Sequence, residues 1–239
     1  MDEPKLTIEE RTAISNGRWF SGLSPSLRHD ILRCAYVKRF NDGDMIYARG
    51  DVPDAWLGCA RGAIRVCSTS ISGRQVTLTY IEPGIWFGDI SLFDSDHRSH
   101  DCYAHGPTSV LCVSRADFKR LLAEHTELYE ALLWIASRRS RQLFTLLEDL
   151  NTLPLRARLS KQLSNLARSY GVPLNDNDAH VRIGLQLAQE ELAQLVGASR
   201  QRVNQELKAL ERQDIIKIEP SGLIVRDRQA LVTISETVE

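Results

Sequence analysis

No stretch of this 239-residue chain holds the ~18–20 consecutive apolar residues of a membrane span. The first ten residues, MDEPKLTIEE, are acidic and lack the basic-then-apolar order of a signal peptide. No membrane partner and a cytoplasmic location are therefore expected. Neither sign of charge is in excess: 30 Lys and Arg face 31 Asp and Glu. Taken whole, that balance argues against a strongly basic nucleic-acid binder. The five cysteines, Cys34, Cys59, Cys67, Cys102 and Cys112, form no close CxxC pair. An odd count without such pairs fits reduced thiols rather than a disulfide framework. No cysteine precedes Cys34, so there is no N-terminal cluster of thiolates for an iron–sulfur centre. No P-loop, HExxH or Ser/His/Asp set with motif context occurs, so an enzyme is not expected. Internal repeats and low-complexity tracts are also missing.

What is present is a change of texture along the chain. Apolar Leu23, Leu27 and Ile31 mark a short helix near Pro25 to Leu32. From Val37 to Val113, short β-rich runs alternate with turn signals such as Asn41-Asp42-Gly43-Asp44, Arg49-Gly50-Asp51 and Glu82-Pro83-Gly84. Many short strands with regular turns predict an antiparallel barrel or jelly roll. Helical signals follow Ser114, first over Asp117 to Leu122. A longer helix runs from about Thr126 to Leu150 without Gly or Pro. Its residues Leu128, Leu132, Ile135, Leu143, Leu146 and Leu150, with Arg139 among them, keep the 4 and 3 spacing of an amphipathic or coiled-coil helix. Packing on the chain's own barrel is one reading; a dimer seam is the one adopted. Asn151-Thr152-Leu153-Pro154 breaks this helix. Pro154 suits the first turn of the next, which covers about Leu155 to Tyr170. Asn175-Asp176-Asn177-Asp178 reads as loop.

Residues 186–211, QLAQEELAQLVGASRQRVNQELKALE, carry the strongest local signal. A helix over Gln189 to Val196 meets a turn at Gly197, where φ > 0 is required. Ser199 caps a second helix. Small Ala193 allows close approach, and Val203 and Leu207 face inward. This is a helix-turn-helix pattern. Ile215 to Ile218, a Glu219-Pro220-Ser221-Gly222 turn and Leu223 to Val225 then make a β-hairpin wing. The candidate DNA-contacting residues are Ser199, Arg200, Gln201, Arg202, Asn204, Gln205 and Lys208. They supply donors and forks for phosphates and base edges, with no acid before Glu206. Base reading is expected of Arg200, Gln201, Arg202 and Gln205. Arg156, Arg158 and Lys161 are further phosphate candidates, unless they form a solvated helix face. Residues 151–212 hold 9 basic against 6 acidic residues, whereas residues 1–150 hold 18 against 20. The near-neutral total conceals a basic C-terminal part.

A strand-rich front, a long helix and a winged helix-turn-helix together resemble the Crp/Fnr family of bacterial transcription regulators, over about residues 18–230. The likeness rests on the barrel turns and on Ala198-Ser199-Arg200-Gln201-Arg202-Val203. It rests also on Phe87-Gly88-Asp89-Ile90-Ser91-Leu92-Phe93 with Arg98-Ser99, which is similar to the phosphate-binding cassette of cyclic-nucleotide domains. The implied fold is α+β. A jelly-roll sensor of the cyclic-nucleotide-binding type occupies 1–117, a linking and dimerisation helix 118–150, and a winged helix-turn-helix 151–239. In the implied cassette, Gly88 and the amides around Ile90 and Ser91 cradle a cyclic phosphate, Arg98 and Ser99 bind it, and Asp89 accepts from a ribose hydroxyl. Asp89 replaces the family's Glu, and His100 replaces a small residue. Leu143 and Phe144 align where cyclic-AMP-binding members place Thr-Ser against adenine. The implied effector is a cyclic nucleotide; a different ligand or none stays open. An Arg98–Asp89 ion pair in an effector-free regulator is one alternative. A redox or haem-type sensor using His97, His100, Cys102 and His105 is another. Strand alternation puts His97 and His105 on one face and the other two on the opposite face, so no metal is expected. A cupin-like metal enzyme with an attached DNA module is the alternative of another class. Implied partners are double-stranded DNA with a pseudo-palindromic site, a second copy of the chain, and RNA polymerase.

Overall fold

A computed structural model describes residues 6–70, 75–174, 180–220 and 222–237. The chain divides into two compact units, residues 1–140 and 141–239.

The first unit opens with α1 (Ile8–Asn16) and α2 (Pro25–Cys34). Thr7 accepts from the Glu10 amide while Glu10 accepts from the Thr7 amide, a reciprocal cap on the first turn. Glu10 is fully buried, and burial alone would raise its pKa. Hydrogen bonds from Arg39 and Ser109 outweigh that and hold it down at about 2. Six strands follow: β1 (Tyr36–Phe40), β2 (Met45–Tyr47), β3 (Ala55–Thr69), β4 (Gln75–Ile81), β5 (Trp86–Phe87) and β6 (Asp101–Ser114). A four-residue helix, α3 (Ile90–Phe93), lies between the last two.

All strand pairs are antiparallel. The order is β1-β6-β3-β4, with β2 on β6 and β5 on β3. The expected barrel is thus a jelly-roll sheet left open rather than closed by hydrogen bonds. The two long strands turn sharply at bulges near Arg61, where Gly62 takes φ 79°. A side chain on Gly62 would strike Thr108 and the Pro107 carbonyl. Apolar residues divide into two clusters. One lies inside the sheet around Leu57, Ile64, Phe87, Cys102 and Val110. The other gathers Phe20, Trp56, Trp86 and Phe118 beneath the helices.

Helix α4 (Arg115–Glu124) is capped by Ser114, and α5 (Glu127–Thr152) follows. Leu128, Leu132 and Ile135, expected in a dimer seam, are instead buried in the first unit's own core. The indole N–H of Trp19 donates to the Ala131 carbonyl at 2.9 Å and fixes this face of α5 inward. Leu143, Leu146 and Leu150 of the same expected seam are exposed.

In the second unit α5 ends on its own side chains: Asn151 and Thr152 donate to the Leu147 and Glu148 carbonyls. Pro154 sits at the N-cap position of α6 (Leu155–Tyr170), one place before the expected first turn, and makes no side-chain cap bond. Strands β7 (Gly171–Pro173) and β8 (Val181–Ile183), helices α7 (Gln189–Leu195) and α8 (Arg200–Arg212), strands β9 (Ile216–Glu219) and β10 (Gly222–Val225), and α9 (Arg228–Ser235) complete it. The sheet order is β7-β8-β10-β9. The wing hairpin pairs Ile216 with Val225 and Glu219 with Gly222. The β7–β8 pair is an addition to the sequence expectation: Gly171-Val172-Pro173 ends α6 by starting a strand. The expected loop at Asn175 to Asp178 lies outside the described residues.

Candidate nucleic-acid interface and effector cassette

The expected helix-turn-helix of the second unit is formed by α7 and α8. Helix α7 stops at Val196, and Gly197 reverses the chain at φ 63°. That conformation favours glycine, and an added Cβ would sit 2.9 Å from a Leu150 methyl. The Ala198 amide then reaches back to the Ala193 carbonyl at 3.0 Å. The Ser199 hydroxyl accepts from the Arg202 amide and starts α8. Val203, Leu207 and Leu210 are buried and fix the rotation of α8 on its neighbours.

The rest of the helix follows from that rotation. Ser199, Arg200, Gln201, Arg202, Gln205 and Lys208 are exposed. Among the described residues, no side chain engages those of Arg200, Gln201, Arg202, Gln205 or Lys208. Asn204 differs: it is half-buried, and its carbonyl oxygen accepts from the Gln189 amide group on α7 at 3.5 Å.

The three cations expected on α6 serve the fold. Arg158 donates to the Val196 and Leu153 carbonyls at 3.1 and 2.7 Å and so closes the end of α7. Lys161 pairs with Asp149 at 2.6 Å, and Arg156 bonds Gln213. In the second unit's sheet, Lys217 of β9 and Arg182 of β8 bond Glu219 at 2.7 and 3.0 Å. These cations hold the Glu219 carboxyl below its usual range.

The cassette belongs to the first unit. Strand β5 pairs with β3, and Gly88 turns the chain at φ 79° toward α3. A Cβ on Gly88 would lie 2.7 Å from a terminal nitrogen of Arg98. Arg98 is buried. Its Nη1 donates to the Gly88 carbonyl at 2.8 Å and its Nη2 to the Ala55 carbonyl at 2.6 Å. The Tyr47 ring lies 4.5 Å from the guanidinium, and the Asp54 carboxylate 3.7 Å from Nη2. Its Nε has no partner among the described residues.

Asp89 is not the partner of Arg98. The buried Asp89 carboxylate accepts both of its bonds from Nη1 of Arg139 on α5, each 2.9 Å. Nη2 of Arg139 donates to the Trp86 carbonyl at 2.5 Å. Sequence reasoning counted Arg139 only as a position in the apolar spacing. Its signal was a charge on the otherwise apolar, inward line of α5. Ser91 is buried and donates to the His97 carbonyl at 3.2 Å. Ile90 is exposed, and the Ser99 hydroxyl meets the ring of its neighbour His100 at 2.8 Å. Leu143 and Phe144 stand exposed on α5.

The histidine cluster does not converge. His97 contacts Asp96, and His100 contacts Ser99; both precede β6. His105 packs edge-on against Tyr80. Cys102 is buried, and burial pushes its thiol up to about 12, as it does that of Cys59. Both thiols stay protonated at neutral pH. Among the described residues, no three His, Cys, Asp or Glu side chains gather where they could hold a metal ion. No helix among them is long and apolar enough to cross a membrane.

Comparison with known proteins accounts for both units. Residues 37–125 match the cyclic nucleotide-binding domain, and residues 157–234 match the Crp-like helix-turn-helix domain. The chain is 28% identical over 212 residues to a CRP-like cAMP-activated global transcriptional regulator of Mycobacterium tuberculosis, covering 89% of this chain and 93% of that one. It is 29% identical over 217 residues to the cyclic AMP receptor protein of Thermus thermophilus, covering 90% and 95%. The fold of FixK2 from Bradyrhizobium japonicum superposes with a TM-score of 0.75 over 86% of this chain and 99% of that one, at 19% identity. With a sensor domain, a Crp-like helix-turn-helix and regulators as relatives over most of its length, the chain belongs to the Crp/Fnr family of DNA-binding transcription regulators.

Proposed function

We propose that this regulator binds a pseudo-palindromic DNA site as a homodimer, and that its first unit tunes that binding in response to a cyclic nucleotide. The observation that carries the DNA reading is the exposed, unpartnered row on α8. Such a helix enters a major groove while its neighbour crosses the backbone. Two copies related by a two-fold axis would meet successive grooves ~34 Å apart. The proposed functional parts are a sensor over 1–117, a link over 118–150 and a DNA module over 151–239. Ser199, Arg200, Gln201, Arg202, Gln205 and Lys208 are the proposed contacts. RNA polymerase is the further partner the family implies, the location is cytoplasmic, and the role is regulatory rather than enzymatic.

The dimer reading rests on α5. Tyr129, Leu133, Ala136, Ser140, Leu143, Leu147 and Leu150 recur at alternating spacings of four and three, and all are exposed. That is the 3.5-residue period of a coiled-coil seam. It lies one residue out of phase with Leu128, Leu132 and Ile135, which the first unit's core has taken.

The effector reading rests on the match of residues 37–125 and on Arg98, whose buried guanidinium lies against the cassette glycine. A cyclic phosphate would draw Nη1 and Nη2 from the Gly88 and Ala55 carbonyls. A second reading, regulation without an effector, is favoured by a different observation. Both terminal nitrogens of Arg98 and both oxygens of Asp89 are already satisfied inside the protein. Thermal unfolding with adenosine and guanosine 3′,5′-cyclic monophosphates separates the two. The effector reading predicts stabilisation of about 2.7 kcal/mol at a hundredfold excess over Kd, lost in Arg98→Lys. Equal melting curves with and without either nucleotide support the effector-free reading.

A further inference from the structure

Helix α5 ends at Thr152 and α6 begins at Leu155, with Leu153 and Pro154 between them. A proline stops a helix because it lacks the N–H and crowds the residue before it. Two helices ordinarily bend against each other at such a break. Here the break is braced by side chains from both sides.

The brace begins with Asp149. Of residues 141–152, it alone is withdrawn from full exposure. A carboxylate in the last turn of a helix faces the negative end of the helix dipole. Helix α5 carries no basic residue in that turn to offset it. The compensation comes from the next helix: both Asp149 oxygens accept from Nζ of Lys161 on α6, at 2.8 and 2.6 Å. The main chain is held as well, since the Leu153 amide donates to the Asp149 carbonyl at 3.0 Å. Arg158 then spans the corner. Its Nη1 donates to the Leu153 carbonyl, just past α5, and its Nε to the Val196 carbonyl, where α7 ends. Leu150 carries the contact to the turn before α8, because its methyl is what a Cβ on Gly197 would strike.

The end of α5, the start of α6 and the turn of the helix-turn-helix therefore share one set of contacts. The division of the chain agrees: the second unit begins at residue 141, inside α5, and not at Pro154. Residues 140–148 differ from the corner. Among the described residues, none of their side chains makes a hydrogen bond or ion pair outside α5.

We propose that the α5–α6 corner is a rigid coupler rather than a hinge, with Asp149 and Lys161 as positioning residues that make the last turn of α5 one body with the helix-turn-helix. The proposal rests on the reading of the chain as a two-fold DNA-binding dimer and adds what fixes the distance between its two DNA-contacting helices. The seam residues Leu147 and Leu150 then aim each α8 without slack, and bending is left to residues 140–148 of α5.

Amide hydrogen exchange of the full chain reads the corner without DNA. The Leu153 and Arg158 amides should exchange as slowly as those of buried Leu159 and Leu163 in α6. They should exchange faster in Asp149→Lys, where two ammonium groups face each other. Asp149→Lys with Lys161→Asp rebuilds the pair with its signs reversed and should restore slow exchange. DNA binding of the same proteins reads the function. The probes are a palindromic duplex selected from a randomised library with the full chain, and that duplex with one base pair added between its halves. The addition turns one half-site out of register with the other. Engaging both halves at once is worth about 100- to 10,000-fold, so the wild type should bind the lengthened duplex roughly tenfold more weakly or worse. Asp149→Lys should lose much less, and the reversed pair should regain the wild-type penalty. Each penalty is a ratio for one protein, so a uniform effect of the altered charge cancels. Fast exchange at Leu153 and Arg158 in the wild type, or an unchanged penalty in Asp149→Lys, overturns the proposal. A wild type that binds both duplexes alike, or neither, overturns the dimer reading, and the exchange rates still decide whether the corner is rigid.

Discussion

Asp89 and Arg139 meet where a strand-borne cassette touches a helix of the same unit, and their pairing is the most consequential single contact in it. Asp89 is buried, and both of its carboxylate oxygens accept from one guanidinium. A buried carboxylate without that partner pays full desolvation. Arg139→Met should therefore destabilise the first unit. The loss should be about 2–3 kcal/mol, below the 3–5 of a fully enclosed pair because Arg139 is partly exposed. Adding Asp89→Asn should recover much of that loss. Urea unfolding of the single and double variants measures both. An additive double variant would mean that the pair is not coupled. The cassette motif itself was legible in the sequence, because Gly88, Asp89, Arg98 and Ser99 follow a fixed spacing. The partners were not. A local motif says nothing about which distant side chain closes on it, and in place of the alternative Arg98–Asp89 pair there are two separate arrangements. Arg98 is held by carbonyls at residues 55 and 88, and carbonyls have no sequence signature.

Among the elements, α5 has two apolar stripes one residue out of phase. Leu128, Leu132 and Ile135 lie on one, and Leu133, Leu143 and Leu147 on the other. Both have coiled-coil spacing, so periodicity alone cannot say which meets the sheet and which a second copy. Exposure separates the two: Leu132 is 3% exposed and Leu133 68%, so the second stripe is the one proposed to meet a second copy. Opposite consequences follow for neighbouring residues. Leu132→Ala should cost about 2–5 kcal/mol of fold stability with the dimer intact in the folded fraction. Leu147→Glu should leave the fold within about 0.5 kcal/mol and convert dimer to monomer. Sedimentation velocity beside chemical unfolding checks the contrast. A dimeric Leu147→Glu would place the seam elsewhere. Element α8 was more legible than α5, because a glycine, a serine cap and two inward apolar residues specify the turn, the start and the rotation together. Strands β7 and β8 were not visible: three-residue strands carry too few side chains for alternation to register.

For the molecule as a whole, the unremarkable net charge conceals a division of labour. The basic excess lies in residues 151–212, yet part of it never faces a ligand. Arg158 and Lys161 hold α6 to its own unit. The cations left unpaired on α8 include Arg200, Arg202 and Lys208. The proposed DNA-binding surface is thus narrower than the composition suggests and rests on few side chains. The property expected of that surface is sequence-specific binding. Fluorescence anisotropy of the full chain at physiological salt, with a selected palindrome and a scrambled duplex of equal length, tests it most directly. The palindrome should bind at least about a thousandfold tighter. Gln201→Ala with Gln205→Ala should remove most of that preference while binding to the scrambled duplex is retained. Equal affinity of the wild type for both duplexes would contradict it.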